Sequence, residues 1–382
     1  MADVLAFKTY SVIPARLREA REAMELSMTD LGEQIGVSRQ AISFYENGQR
    51  EPDPEILMRI VNVVGQPISY FTTERPRSFG MRGTRFFRAF RSKTKRLNTR
   101  CEILSDWFAQ TTAYFSEFVN LPSVALPEIS PPKQDRAYSE AEIEDAATQC
   151  RRHWGLGDGP IANVVALLES KGVVIARSEF GDETVSAFSF WEGAHPFIFL
   201  GADRESACRS RYDACHELGH LVLHRGIDGP DLKADFNRIE AEADRFAGAF
   251  LLPESTYPLE VFSSRLAAFL HLKSRWKVSA AAQIYRCSEL GVLSEQQVLN
   301  LRKQLSVKGW RKREPYDDSI PPELPTVIEK CLRLLLDSRR RTVADILAGV
   351  RLARPTIEAL IGLPLPSSQD DPQGPTISLR SI

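Results

Sequence analysis

The run Arg211-Tyr-Asp-Ala-Cys-His-Glu-Leu-Gly-His-Leu-Val-Leu-His224 concentrates residue types that can do chemistry. Within it, His216-Glu-Leu-Gly-His220 places two imidazoles four residues apart. On a helix that spacing shares one face, so both rings can grip a single metal ion. Glu217 projects about 100° further round, close enough to take a proton from a metal-activated water. Ala214, Leu218, Leu221 and Val222 supply an apolar stripe that buries such a helix. A catalytic zinc takes three protein ligands and keeps one position for water, so a third ligand must come from another element. The stretch Ile239–Pro253 is its obvious source. Glu240 and Asp244 are four apart and share a face, which suits one ligand carboxylate and one carboxylate orienting a ligand histidine. Glu242 points elsewhere, although spacing alone leaves it open.

Three neighbours carry blander expectations. His224 lies one turn beyond His220 and reads as a packed or solvated histidine. Cys215 is rotated off the metal face and reads as a core thiol. Tyr212 is a candidate to polarise a carbonyl, but no oxyanion donor can be assigned.

The elements that must position this centre follow from periodicity. Helices are expected near 139–154, 160–172, 205–225 and 239–252, with the best strand candidates at Val173–Ala176 and Phe197–Leu200. Phe197–Leu200 precedes the catalytic helix and is the candidate sheet edge for an extended peptide substrate. The fold class is therefore mainly α with a small β-sheet (α+β).

A second kind of chemistry lies upstream. Ser27 opens a Ser-x-x-Asp capping box with Asp30, and Leu31 and Ile35 share one helix face. Gly36 ends that helix, Val37 anchors the turn and Ser38 caps the next helix, which Gly48 stops. Two short helices around a Gly-Val-Ser turn form a helix-turn-helix. Arg39 and Gln40, at the start of the second helix, are types that bond bidentately to base edges in the major groove of double-stranded DNA. Ser43 lies one turn on, and Phe44 is placed to meet a thymine methyl. Asn47 and Arg50 are placed to hold phosphates. The span Ile13–Phe71 resembles the Xre/Cro-like repressor domain, a resemblance carried by Gly36-Val-Ser-Arg-Gln-Ala-Ile-Ser-Phe-Tyr-Glu-Asn-Gly48.

Composition limits the alternatives. The chain has 382 residues, enough for two or three domains. Hydrophobic residues make up 43% and charged residues 26%, which excludes a disordered, collagen-like or disulfide-dense chain. Net charge is −1, so binding to a polyanion must come from a local patch. One such patch runs from Arg75 to Arg100, with ten basic and no acidic residues, interleaved with Phe79, Phe86, Phe87 and Phe90. It reads either as a second nucleic-acid contact or as phenylalanines packed on a neighbouring domain beside wet arginines. The sequence offers neither an apolar run long enough to span a membrane nor a secretory signal, and its six scattered cysteines suit reduced thiols in the cytoplasm.

The second centre resembles the ImmA/IrrE-type zinc metallopeptidases. The resemblance rests on His216-Glu-Leu-Gly-His220, on Glu240-x-x-Ala-Asp-x-Phe-Ala and on Leu251-Leu-Pro253. Leu272-Lys-Ser-Arg-Trp-Lys-Val-Ser279 and Gly309-Trp-Arg-Lys-Arg-Glu-Pro315 extend it to the long form with a C-terminal helical region. It implies a zincin-like fold, Zn2+ as cofactor and Glu240 as the third ligand, in agreement with the helical spacing. It also implies cleavage of a protein substrate, a transcriptional repressor, in a stress or mobile-element response. The expected organisation is a DNA-binding domain at 11–74 and a basic, aromatic helical linker with a proline-rich end at 75–133. A peptidase domain at 134–255, a C-terminal helical region at 256–365 and a disordered tail at 366–382 complete it. A homodimer on DNA is expected from the Xre-like domain. Two readings compete with the protease: a transcription factor whose metallopeptidase-like domain senses a signal without proteolysis, and self-cleavage at 121–133 that releases the N-terminal domain.

Overall fold

A computed structural model describes residues 11–75, 78–81, 83–87, 95–132, 137–178, 186–202, 206–227 and 229–367. The chain begins with helices α1 (Pro14–Ala23), α2 (Met28–Ile35), α3 (Arg39–Glu46), α4 (Pro54–Val64) and α5 (Ile68–Phe71). A short strand β1 (Phe86–Phe87) and a long helix α6 (Lys95–Ser116) follow. Next come α7 (Glu140–His153), α8 (Val164–Ser170), β2 (Val174–Ser178), β3 (Ala187–Glu192) and β4 (His195–Gly201). The remaining helices are α9 (Ala207–Leu223), α10 (Gly229–Leu251), α11 (Leu266–Trp276), α12 (Ala280–Glu289), α13 (Glu295–Val307), α14 (Val327–Asp337), α15 (Val343–Val350) and α16 (Arg354–Ile361). The protein is thus mainly α with one small sheet. It forms two compact units, and the chain passes between them repeatedly: 1–78, 90–120 and 328–382 make one, 79–89 and 121–327 the other.

In the first unit the helix-turn-helix forms as its caps dictate. The Ser27 hydroxyl accepts from the Asp30 N–H at 3.0 Å, and the Asp30 carboxylate accepts from the Ser27 N–H at 2.7 Å. Gly36 takes φ +76°, the left-handed turn that ends α2, and Ser38 caps α3 through the Ala41 N–H. Leu31, Ile35, Ile42 and Tyr45 close the apolar interior. A buried ion pair, Arg21 to Glu46 at 2.6 Å, ties α1 to α3.

The segment expected as a linker does something else. Helix α6 is buried almost without interruption from Ile103 to Phe115, as only a central core helix can be. The Trp107 indole N–H donates to Glu19 at 2.5 Å, and Arg75 bridges Glu19 and Asp106. The first arginine of the basic patch is therefore neutralised inside the fold. Arg96 and Arg100 also face acids, Asp30 and Glu25. Arg77, Arg82, Arg88, Phe90, Arg91 and Lys93 lie outside the described residues.

The rest of this unit repeats its beginning. Thr342 and Asp345 form a second capping box, Arg351 takes φ +61° and α16 follows after Leu352 and Ala353. Ile346, Val350, Leu352, Ile357 and Leu360 are buried at the positions that correspond to Leu31, Ile35, Val37, Ile42 and Tyr45. The second copy does not expose the same face. A Cβ on Gly349 would stand 2.3 Å from the Tyr114 ring of α6, whereas its counterpart Gln34 is exposed. Gln110 donates to the Val350 carbonyl at 2.6 Å, and the Gln66 amide donates to Thr356 at 2.8 Å. Gly349 and Thr356, the counterparts of Gln34 and Ala41, are thus packing positions in the second copy.

The second unit is built on a sheet of order β1-β3-β4-β2. β2 and β4 run parallel; β3 pairs antiparallel with β4 and with β1. β4 therefore lies inside the sheet, and the expected substrate edge at Phe197–Leu200 is corrected: the next strand outward is β3, and β1 lies on it. Helices α9 and α10 pack side by side below, with α7 against α10 and α9 against β3 and β4. The proline-rich stretch is docked on this unit. The Trp154 indole N–H donates to the Ala125 carbonyl at 2.6 Å, and Gly172 lies so near Val124 that a Cβ there would stand 2.6 Å away. Of the segment 256–365, expected as one region, the part to Val327 belongs here and the rest to the first unit. It adds a wholly buried cluster in which Lys273 pairs with Glu314 at 3.0 Å and Asp317 at 2.7 Å. Of the tail expected at 366–382, the residues from Ser368 onward lie outside the described residues.

Candidate metal centre and nucleic-acid face

Helix α9 carries His216, Glu217 and His220 into the interior, at 1%, 1% and 0% exposure. Gly219 lets α10 approach: a Cβ there would meet the Ala243 backbone at 3.2 Å. That closeness brings Glu240 of α10 opposite the two imidazoles. The Nε2 atoms of His216 and His220 stand 3.1 Å apart, and the Glu240 carboxylate oxygens lie 3.5 Å from the first and 3.3 Å from the second. Among the described residues these three form a group able to hold a metal, with ligand atoms within 4.8 Å of one another.

The surroundings decide which atoms face inward as lone pairs. His216 Nδ1 lies 2.9 Å from Asp244 Oδ1, so in the neutral ring Nδ1–H donates and Nε2 is left basic. His220 Nδ1 lies 2.9 Å from His224 Nδ1, and His224 Nε2 lies 2.9 Å from Glu242 Oε2. The carboxylate can only accept, so His224 donates through Nε2 and accepts through Nδ1. His220 must then donate through Nδ1, and its Nε2 also faces inward as a lone pair. Glu242 is itself held by the Arg238 guanidinium at 2.9 Å and the Tyr138 N–H at 3.1 Å. Two basic nitrogens and a carboxylate thus converge with no proton between them, an arrangement that a cation resolves. Tetrahedral ligands about 2.05 Å from a zinc ion sit about 3.3 Å apart, close to the separations observed. The donor set and its spacing fit that ion.

Electrostatics follow burial. Burial pushes the Glu217 carboxyl up to about 8. Its Oε2 is buried with no hydrogen-bond partner among the described residues, and its carbonyl accepts from the Ser189 hydroxyl of β3 at 3.4 Å. Burial also lowers His220, to about 3. Glu240 is pushed up by burial but lowered overall by the two imidazoles it faces, His216 and His220. Cys215 is fully buried, and burial raises its thiol. The Tyr212 hydroxyl donates to the Asp244 carbonyl at 2.8 Å, which commits it to the α9–α10 contact. His224, expected as a packed or solvated histidine, is packed, and with Glu242, expected to point elsewhere, it fixes the His220 ring. The spacing His216-x3-His220-x3-His224 carried a signal, since it puts three imidazoles on one face.

On the first unit, Arg39, Gln40 and Arg50 are exposed, with Ser43 and Phe44 half-buried between them. Ser38 is exposed but its hydroxyl is used as the cap of α3. Asn47 is bonded to Arg18 at 2.9 Å and to Ser43 at 3.3 Å, so its amide already has protein partners.

Residues 17–71 match the helix-turn-helix family, and residues 168–288 match the family described as IrrE N-terminal-like domain, a peptidase family. No curated protein matches the chain. Among the described residues no helix is long and apolar enough to cross a membrane. The chain therefore joins an Xre-like helix-turn-helix DNA-binding domain to a metallopeptidase-like domain of the ImmA/IrrE type.

Proposed function

We propose that this DNA-binding regulator is a zinc-dependent endopeptidase that cleaves a transcriptional repressor or similar regulatory protein. His216, His220 and Glu240 hold the metal, Asp244 orients His216 and Glu217 is the catalytic base. The observation that carries the reading is the convergence of two lone-pair nitrogens and a carboxylate at zinc spacing beside a buried carboxyl with an unpartnered oxygen. Bound there, zinc supplies Lewis-acid activation of water and of the scissile carbonyl. Glu217 takes the proton of the attacking water and passes it to the leaving amine. Arg39 and Gln40 read base edges and Arg50 holds a phosphate. The repressor substrate and the stress or mobile-element setting rest on the family resemblance, and a cytoplasmic location rests on the six scattered cysteines.

The burial of His216, Glu217 and His220 favours a second reading, a regulator whose peptidase-like domain senses a signal without cleaving. Elemental analysis and a cleavage assay separate the two. About one zinc per chain is expected in the wild type, absent from His216→Ala and retained in Glu217→Gln, with repressor cleavage lost in both variants. Full cleavage by Glu217→Gln would sink the mechanism. Zinc in the wild type with an output indifferent to Glu217 would establish the sensor.

A further inference from the structure

The sheet edge beside the metal centre is already taken by the chain itself. Residues 79–81 and 83–87 lie along β3, with strand pairing at Phe86–Phe87. Phe86 pairs with Ser189 and Phe87 with Phe188. The Gly83 N–H donates to the Trp191 carbonyl, the Gly193 N–H to the Met81 carbonyl and the Phe79 N–H to Glu192, at 2.8, 2.8 and 3.0 Å. Ser189, opposite Phe86, is the β3 residue that reaches the Glu217 turn. The Phe86 ring lies flat on the His220 imidazole, 4.7 Å between centroids and 8° between planes, and is 2% exposed. Arg85 lies over the Phe190 ring and Phe79 over His195. The close fit extends to the β3–β4 turn, where a Cβ on Gly193 would stand 2.2 Å from the Phe79 carbonyl. Met81, within the segment, is 90% exposed. It lies outside residues 168–288, which match the peptidase family.

We propose that the segment formed by residues 79–81 and 83–87 is an intramolecular pseudosubstrate. They fill the strand position that an extended peptide needs on β3, and they close the metal centre with Phe86. The site takes extended peptides with an aromatic side chain in the slot formed by His220 and β3, and binds them once the segment withdraws. This rests on the endopeptidase reading for its consequence, but the strand site can be tested without catalysis.

The probe is a fluorescein-labelled peptide with the sequence of residues 83–89, titrated into full-length zinc-loaded protein. Two variants loosen the segment from opposite sides: Phe86→Asp puts a charge in the aromatic slot, and Gly193→Ala intrudes on the Phe79 carbonyl from the sheet. Hydrogen exchange at the Gly83 amide reports release in each. A site occupied nine-tenths of the time weakens apparent affinity about tenfold, so release is expected to tighten peptide binding about tenfold in both variants. Faster Gly83 exchange with unchanged peptide affinity overturns the proposal. So does Gly83 exchange that stays slow in wild type under saturating bound peptide, since the two would then not compete. A cut within residues 83–87 that Glu217→Gln abolishes would make the segment a substrate and overturn it as well. Tighter binding without any Glu217-dependent cleavage would refute the endopeptidase and leave the strand site standing.

Discussion

At the scale of single residues, the hydrogen bonds behind the metal ligands set how firmly a cation is held. Asp244 fixes one imidazole; His224 and Glu242 fix the other. Removing such a partner commonly weakens metal affinity 10–100-fold. Competition against a chromogenic chelator is expected to show a loss in that range for His224→Ala and for Asp244→Ala. Cys215→Ser, off the metal face, is expected to leave affinity unchanged. The ligands were legible because an i, i+4 pair on one helix is a local pattern. The role of Glu242 was not, because it depends on α10 bringing it to His224. A second buried set allows a test of pH. Asp317 is pushed up by burial, but its bonds from Lys273 and the Glu314 N–H hold it below its ordinary value of 3.8. Such a lowered group stabilises the fold fully above its unfolded pKa and less as pH falls through the folded one. Lys273 is pushed down by burial and raised overall by Asp317 and Glu314, so its contribution is full below its ordinary 10.5 and fades above it. Lys273→Met strands two buried carboxylates and is expected to cost about 3–5 kcal/mol at neutral pH. Urea midpoints should fall less between about pH 5 and pH 3 in this variant than in wild type; an equal acid loss in both would show that the pair does not govern the acid limb.

At the scale of elements, two helix-turn-helix copies share the capping box of their first helix, the left-handed turn and most apolar positions, but differ in what covers their outer face. In α3, Arg39 and Gln40 stay exposed. In α16, Arg354 donates to the Leu365 carbonyl at 2.9 Å and Thr356 is bonded to Gln66. Arg39→Ala is therefore expected to lose about 1–3 kcal/mol of sequence-specific DNA binding, and Arg354→Ala almost none. Mobility-shift titrations at one fixed salt concentration, with specific and scrambled duplexes, compare them; equal losses would assign α16 to the DNA face. The first copy was legible from a turn glycine and a recognition helix of reading residue types. The second was obscured because Arg351 stands where glycine is usual and Pro355 where Gln40 stands. Strand β3 escaped notice for another reason. Ala187-Phe-Ser-Phe-Trp-Glu192 is buried on both faces, so it shows no polar alternation. The two-residue β1 is too short to leave any period at all.

At the scale of the whole molecule, length and motifs point to more than one domain, but the borders of the two compact units were not legible. A border drawn at Pro122–Pro132 follows the proline signal, yet that stretch is packed on the second unit. Such a cut takes α14–α16 away from the unit they complete, and β1 from the sheet it caps. Local sequence signals mark where helices stop, whereas membership of a unit is decided by contacts between segments more than two hundred residues apart, such as Gln110 with Val350. The fragment 11–133 is therefore expected to expose the α6 face that Tyr114 presents to Gly349, and to bind a hydrophobic dye. Supplying residues 328–367 in trans should suppress the dye signal and slow exchange at the α6 amides. A fragment 11–133 that unfolds cooperatively with full-length α6 protection would mean that the first unit is complete without its C-terminal helices, and that the second helix-turn-helix copy is an addition to the core rather than part of it.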